Sequence, residues 1–216
     1  MNNYPYIIAS LPVLARDGAD MPDIAGTLAD IRAQLGKRDA ALFDFVLDGF
    51  DADKLNADFY RRAQQSPNAF IRAYFRCDRG LRNAKTAYLN RQLGRPEGTD
   101  ILHLEGEEAP WEESAVRPIL EGTDILARER GLDAYLWDKA EEMTLMHVFD
   151  LDVILGFTVR LKMAARWMGL DPETGRQLFR SLVHEIKNTQ KEKFKLSGFV
   201  LVKNNQCSMI PIYKTC

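Results

Sequence analysis

The feature that most constrains the fold is a strongly apolar helical pattern between Leu132 and Met168. Apolar or small residues recur in its second half at intervals of three and four: Leu151, Ile154, Leu155, Thr158, Leu161, Ala165 and Met168. Further apolar residues lie between them, and a helix that is apolar on most sides has to be surrounded by other elements. The pattern therefore predicts a central, buried helix, with a break near residues 147–150.

Helical spacing also dominates the rest of the chain. Residues 20–36 predict one amphipathic helix, and a second is expected to start at Ser66 and Pro67 and to run as far as Gly94. Asp171 and Pro172 have the character of a cap and first turn for a last helix. No alternation of strands and helices indicates a parallel sheet. These patterns predict an all-α, multi-helix bundle with long central helices.

Two segments differ from this pattern. Residues 4–11, YPYIIASL, are rich in aromatic and β-branched residues and predict a short strand or an extended arm. Residues 193–216 contain four lysines and no acids, and they predict a small hairpin or a loosely ordered tail. The expected organisation is a helical domain over 1–192, which could form lobes at 13–95 and 110–192, followed by that tail.

Composition places the chain among globular proteins. It has 216 residues, of which 46% are hydrophobic and 28% charged, and a net charge of −2. The three cysteines lack metal-site or disulfide-framework spacing, and the sequence begins without a basic, apolar signal segment. We expect a cytoplasmic protein.

Charge is strongly segregated along the chain. Residues 60–95 contain nine arginines or lysines and one acid, whereas residues 96–142 contain fourteen acids and four bases. Such asymmetry indicates either a charged partner or neutralisation within the chain. The candidate partner-binding residues are the bases of the long helix and acids of the following connection: Arg72, Arg76, Arg79, Arg82, Lys85, Glu107, Glu108 and Glu112.

No motif for catalysis or cofactor binding is found in the sequence. There is no glycine-rich phosphate loop, and the paired ExxH pattern of di-iron bundles is absent, the nearest match being Asp100 to His103. We therefore expect no enzyme activity, no cofactor, no metal and no direct nucleotide binding. A site assembled only in the fold remains an alternative.

Nucleic-acid binding is the other alternative for the basic helix. Arg72, Arg76, Arg79 and Asn83 follow one stripe, and Tyr74 and Tyr88 could offer stacking surfaces. The two tyrosines also belong to the apolar stripe, which favours a place in the core. Asp78 and Arg82, four residues apart, can pair and so tie part of the charge to the helix itself.

Several segments together resemble a known but uncharacterised bacterial family. They are Asn3 to Pro12, the Leu81 to Asn83 segment of the helix that ends in Leu93 and Gly94, Phe149 to Leu155, Arg166 and Trp167, and Asp171 to Gly175. Genes of that family lie among those of V/A-type rotary ATP synthases. The family is similar in turn to the C subunit of these enzymes, called d in eukaryotes, an all-helical adaptor between the central stalk and the membrane rotor ring.

The resemblance implies a non-catalytic subunit, or an assembly or coupling factor, of a V/A-type ATP synthase. The implied partners are stalk or rotor-ring subunits. The implied location is the cytoplasm, with peripheral attachment to the inner membrane only through the complex. An adaptor of this kind needs a rigid helical body and charged surfaces, because complementary potentials determine partner and orientation.

Overall fold

The computed structural model describes residues 3–16, 18, 20–106, 113–168 and 180–181. The chain divides into two compact units, Met1–Met168 and Gly169–Cys216. In the second unit residues 180 and 181 are described, and both are helical. The predicted cap at Asp171, the predicted tail 193–216 and the candidate residues Glu107, Glu108 and Glu112 lie outside the described residues.

The first unit is helical throughout its ordered elements. Its helices are α1 (Pro5–Ser10), α2 (Ile24–Gln34), α3 (Lys37–Asp48), α4 (Ala57–Gln64), α5 (Ala69–Gln92), α6 (Arg117–Leu120), α7 (Ile125–Thr144) and α8 (Leu151–Met168). A single 3₁₀ turn, Glu113–Ala115, precedes α6, and the described ranges contain no strand. The all-α prediction is confirmed. Within the same ranges, no helix combines the length and the apolar character needed to cross a membrane.

Helix α8 is central, as its pattern predicts. It packs against α2, α3, α5 and α7, and residues from all sides of it are fully buried, among them Ile154, Leu155, Val159, Leu161 and Ala164. Gly156 allows α7 to approach closely, because a Cβ at that position would lie 2.6 Å from Cγ2 of Thr144. Burial on most of its surface makes α8 the element around which the others pack.

An aromatic cluster joins α3, α4 and α5. The rings of Phe45 and Phe59 stack at 4.7 Å, and Phe75 meets Phe59 edge-on at 4.8 Å and Tyr74 at 5.2 Å. Gly49 lies directly against this cluster, since a Cβ there would be 2.4 Å from a ring carbon of Phe75. Edge-to-face and offset contacts of this kind add to the burial energy of each ring. The cluster holds α5 rigidly against its neighbours.

In the described residues, side-chain oxygens cap the starts of α4, α5 and α7. Asn56 accepts from Phe59 N at 3.0 Å, and Asn68 accepts from Ile71 N at 2.8 Å. Asp124 does the same at the start of α7. The long basic helix therefore begins after Asn68, two residues later than the predicted start at Ser66 and Pro67, because the asparagine side chain satisfies the first free N–H groups.

The structure corrects the prediction for the N-terminal segment. Residues 5–10 form helix α1 and not a strand or extended arm. Pro5 occupies the first turn, where it costs no hydrogen bond, and Tyr4 and Ile7 are buried three residues apart on one face. Tyr4 N donates to the carbonyl of Phe149 at 2.7 Å. Packing of one helical face against the bundle therefore outweighs the β-type composition.

The break between α7 and α8 falls at residues 145–150, as predicted. His147 Nδ1 lies 2.6 Å from Asp150 Oδ2, and its Nε2 lies 3.8 Å from Asp152 Oδ2. Asp150 Oδ1 also accepts from the Asp152 N–H at 3.1 Å. The two aspartates thus hold His147 over the turn.

The stability of this turn should depend on pH. The hydrogen bond to Asp150 raises the pKa of His147 in the folded protein, although burial opposes the shift. A raised folded pKa means that the contact stabilises fully below the unfolded value of about 6.5 and is lost as pH rises through the folded pKa. We expect Asp150→Asn to lower the pKa of His147, measured by NMR titration of the imidazole. An unchanged titration curve would contradict this assignment.

Candidate functional site

The five basic residues of α5 that are candidates for partner binding fall into three structural groups. The first group, Arg82 and Lys85, is paired within the chain. Arg82 Nε lies 2.9 Å from Asp78 Oδ2, and Lys85 Nζ lies 2.5 Å from Glu129 Oε1. The predicted pairing of Asp78 with Arg82 is confirmed. These two cations are therefore partly neutralised before any partner is bound.

Asp78 is the centre of a buried polar group. Its Oδ2 also accepts from the hydroxyl of Tyr60 at 2.6 Å, and both residues are at most 6% exposed. Burial and the nearby carboxylate raise the pKa of the Tyr60 hydroxyl, which therefore stays protonated and donates. Burial opposes the charged form of Arg82, but the charge of Asp78 and the hydrogen bond to it raise the pKa of the guanidinium.

The second group is Arg79 alone, a candidate partner-binding residue that the fold buries. Arg79 is 6% exposed, and its Nη1 donates to the carbonyl of Leu102 at 3.2 Å. Asn83 binds the same residue, donating to its carbonyl at 2.9 Å and accepting from its N–H at 3.0 Å. Burial lowers the pKa of Arg79. Both side chains fasten the connection after α5 to the helix, a role that helical spacing does not reveal.

The third group, Arg72 and Arg76, remains exposed. They lie one turn apart on α5, and neither forms an ion pair with any residue that the structure describes. Arg72 Nη1 donates to the carbonyl of Ser66 at 2.5 Å, which holds its stem along the helix. Both arginines line a cleft of about 430 Å³, called the arginine cleft below, together with Arg79, Tyr60, Gln64 and Leu104.

The downstream acidic block neutralises only part of the basic block. Among the residues that the structure describes, two ion pairs connect them, Lys85 with Glu129 and Arg91 with Glu97, the latter at 3.9 Å. Other acids of the block pair with cations outside the basic block: Glu113 with Arg117, Asp138 and Glu141 with Arg16, and Glu141 with Arg160. Internal neutralisation thus applies to Lys85 and Arg91, and the alternative of an external partner for other members of the basic block stays a prediction.

The features that suggested nucleic-acid binding are mostly engaged in the fold. Tyr74 is 2% exposed within the aromatic cluster, so its ring is not open to a base. The ring of Tyr88 is covered by the guanidinium of Arg128 at 5.0 Å. Asn83 is bound to Leu102. Of the stripe, Arg72 and Arg76 are the exposed members.

The fold also assembles a second charged group that the sequence interpretation missed. Asp133 of α7 lies 2.7 Å from the Arg166 guanidinium of α8 and accepts from Trp167 Nε1 at 2.8 Å. Burial raises the pKa of the Asp133 carboxyl, against the opposing effect of Arg166. Lys162 lies one turn before Arg166, in a helix that is apolar at most of its other positions. Lys162 and Arg166 were the signal in the sequence that could have indicated this charged group, because charged residues inside an apolar pattern are unusual.

In the ranges that the structure describes, no three His, Cys, Asp or Glu side chains lie close enough together to hold a metal ion. Cys77 lies half-buried on α5.

Fold and site together define an all-helical bundle with an arginine-lined cleft on its longest helix. The chain belongs to an uncharacterised family: the model described as "protein of unknown function (DUF2764)" matches residues 50–109 and 111–190. The match includes α4 to α8 and every residue of the arginine cleft. No curated protein and no solved structure matches the chain.

Proposed function

We propose that this protein is a non-catalytic helical subunit, or an assembly or coupling factor, of a V/A-type rotary ATP synthase. It docks on a stalk or rotor-ring subunit through Arg72 and Arg76. The observation that carries the docking surface is that these two arginines are exposed without an ion pair among the described residues. Arg82 and Lys85, on the same helix, both have one.

The arginine cleft is suited to recognising carboxylates. A guanidinium presents a planar set of donors that matches a carboxylate in two parallel hydrogen bonds. Two of them one turn apart on a rigid helix suit a partner surface that carries two or more acidic side chains. The aromatic cluster behind α5 contributes to affinity, because a preordered surface loses little conformational entropy on binding.

The assignment to an ATP synthase is supported by the motif resemblance. Two of the segments that carry it, Asn3 to Pro12 and Phe149 to Leu155, lie against each other through the Tyr4 N–H and the Phe149 carbonyl. A stalk adaptor transmits force through a helical body and requires no nucleotide site of its own. Its place would be on the cytoplasmic side, peripheral to the membrane through the complex.

The double variant Arg72→Glu/Arg76→Glu should reduce co-purification of ATP synthase subunits from the native host at least about tenfold, which corresponds to about 1.4 kcal/mol. The reversed charges would repel an acidic partner. Both positions are exposed, so the helical CD signal and melting temperature should stay near wild type. Tagged protein and quantitative mass spectrometry provide the measurement.

Lys37→Glu/Arg38→Glu is the matched control. It makes the same charge change at two exposed positions in the first turn of α3, where acidic residues are tolerated by the helix dipole. Equal losses of co-purified subunits in both variants would show that the arginine cleft is not the docking surface. Absence of ATP synthase subunits from the wild-type sample would refute the complex itself, and salt-sensitive recovery of RNA or DNA would favour the nucleic-acid alternative.

A further inference from the structure

A second cleft, of about 360 Å³, lies where α5, α7 and α8 meet the connection between α3 and α4. We call it the central cleft. Its charged lining residues are Asp51, Asp78, Arg82, Asp133, Lys162 and Arg166. Its apolar lining includes Phe50, Leu55, Leu136 and Met163. Volume and mixed lining match the small-molecule sites that helical bundles form between facing helices.

The carboxylates of the central cleft are already matched by cations. Asp78 is bound by Arg82 at 2.9 Å, and Asp133 is bound by Arg166 at 2.7 Å. Asp51 lies 3.7 Å from Lys54. A cationic ligand would therefore have to displace an existing ion pair before it could bind a carboxylate.

Lys162 is the cation of this cleft that has no such match. It is half-buried, and it forms no ion pair or hydrogen bond with any residue in the described ranges. It lies four residues before Arg166, on the same face of α8. The lining cations and carboxylates are equal in number, but Lys162 is the lining cation that no carboxylate binds, and it lies beside two arginines that are each held by an aspartate.

We propose that the central cleft binds a small organic anion, whose carboxylate or phosphate group pairs with Lys162. Arg82 and Arg166 each keep their aspartate and add positive potential next to that group. Phe50, Leu136 and Met163 contact the apolar body of the ligand. Carboxylate and phosphate are the groups that an ammonium with three donors binds best in a partly dehydrated site. This site is separate from the arginine cleft and does not depend on the proposed function.

The test uses the full-length chain with two probes, inorganic phosphate and succinate, in isothermal titration calorimetry at low ionic strength. We expect saturable binding of at least one probe with a Kd below about 10 mM. Lys162→Met keeps the apolar stem and removes the charge, so it should weaken binding about tenfold or more. Lys162→Arg should retain most of the affinity, and Lys37→Met, at an exposed lysine of α3, should equal wild type.

NMR of the lysine side chains gives a second measurement. It is made on the wild-type protein, so misfolding of a variant cannot affect the titration. The ε resonances of Lys162, identified by their absence in Lys162→Arg, should move during the titration with the same Kd. Failure of both probes to saturate, a Lys162→Met variant that binds like wild type, or unmoved Lys162 resonances would each overturn the proposal. Arg72→Glu/Arg76→Glu should leave this binding unchanged, which separates it from the docking function.

Discussion

Phe59→Ala should lower the free energy of unfolding by about 3–5 kcal/mol. Phe59 is 0% exposed and contacts Phe45, Tyr60 and Phe75 by stacked or edge-on ring contacts. Its removal leaves a cavity between α3, α4 and α5, and the surrounding rings cannot collapse into it without losing their mutual contacts. Urea unfolding followed by CD gives the measurement.

Two control variants separate packing from the removal of an aromatic ring. Phe59→Leu keeps most of the volume and should cost clearly less than Phe59→Ala. Phe149→Ala removes a ring that is 49% exposed, so it should cost much less than the loss of the buried ring. A loss below about 1 kcal/mol for Phe59→Ala would show that the aromatic cluster is not the main support of α5.

Asp78→Ala should lower the free energy of unfolding by about 1–3 kcal/mol. Its side chain is 8% exposed and binds both the Tyr60 hydroxyl and Arg82. Alanine leaves the buried Tyr60 hydroxyl without an acceptor, which costs the desolvation of that group, whereas the half-exposed Arg82 guanidinium can be solvated by water. Thermal and urea unfolding of the variant measure the loss.

The exposed pair of Asp58 with Arg61 is the matched control for Asp78→Ala. The Asp58 side chain is 78% exposed, so Asp58→Ala should leave stability close to that of wild type. A double-mutant cycle with Tyr60→Phe tests the buried hydrogen bond directly: removing the hydroxyl should cost less once Asp78 is alanine. Strictly additive losses would show that Tyr60 and Asp78 do not act together.

The helices were largely predictable because their signals are local. The spacing of Leu151, Ile154, Leu155 and Leu161 placed α8 in the core, and the structure buries all four. The break near 147–150 was predicted in the same way. The exception is α1, whose aromatic and β-branched composition indicated a strand. A helix of six residues is marginal by itself, so it depends on the packing of Tyr4 and Ile7 against the bundle, which local sequence does not reveal.

The candidate site was less predictable than the fold. The sequence located positive charge on α5, but Arg72, Arg76 and Arg79 are indistinguishable by type and spacing. Burial of Arg79 depends on the Leu102 carbonyl, 23 residues away in the chain. The central cleft could not be found from spacing at all, because Asp78, Asp133 and Lys162 come from three helices.

The sequence by itself determined that the described part of the chain is helical, that α8 is central and that the bases of residues 60–95 concentrate on one helix. Periodicity and composition act over a few turns, so they specify which residues share a helix face. Only the tertiary structure decided which charges are neutralised, since ion pairs such as Lys85 with Glu129 and Arg166 with Asp133 join residues far apart in the chain. The exposure of Arg72 and Arg76 and the unmatched charge of Lys162 follow from that packing.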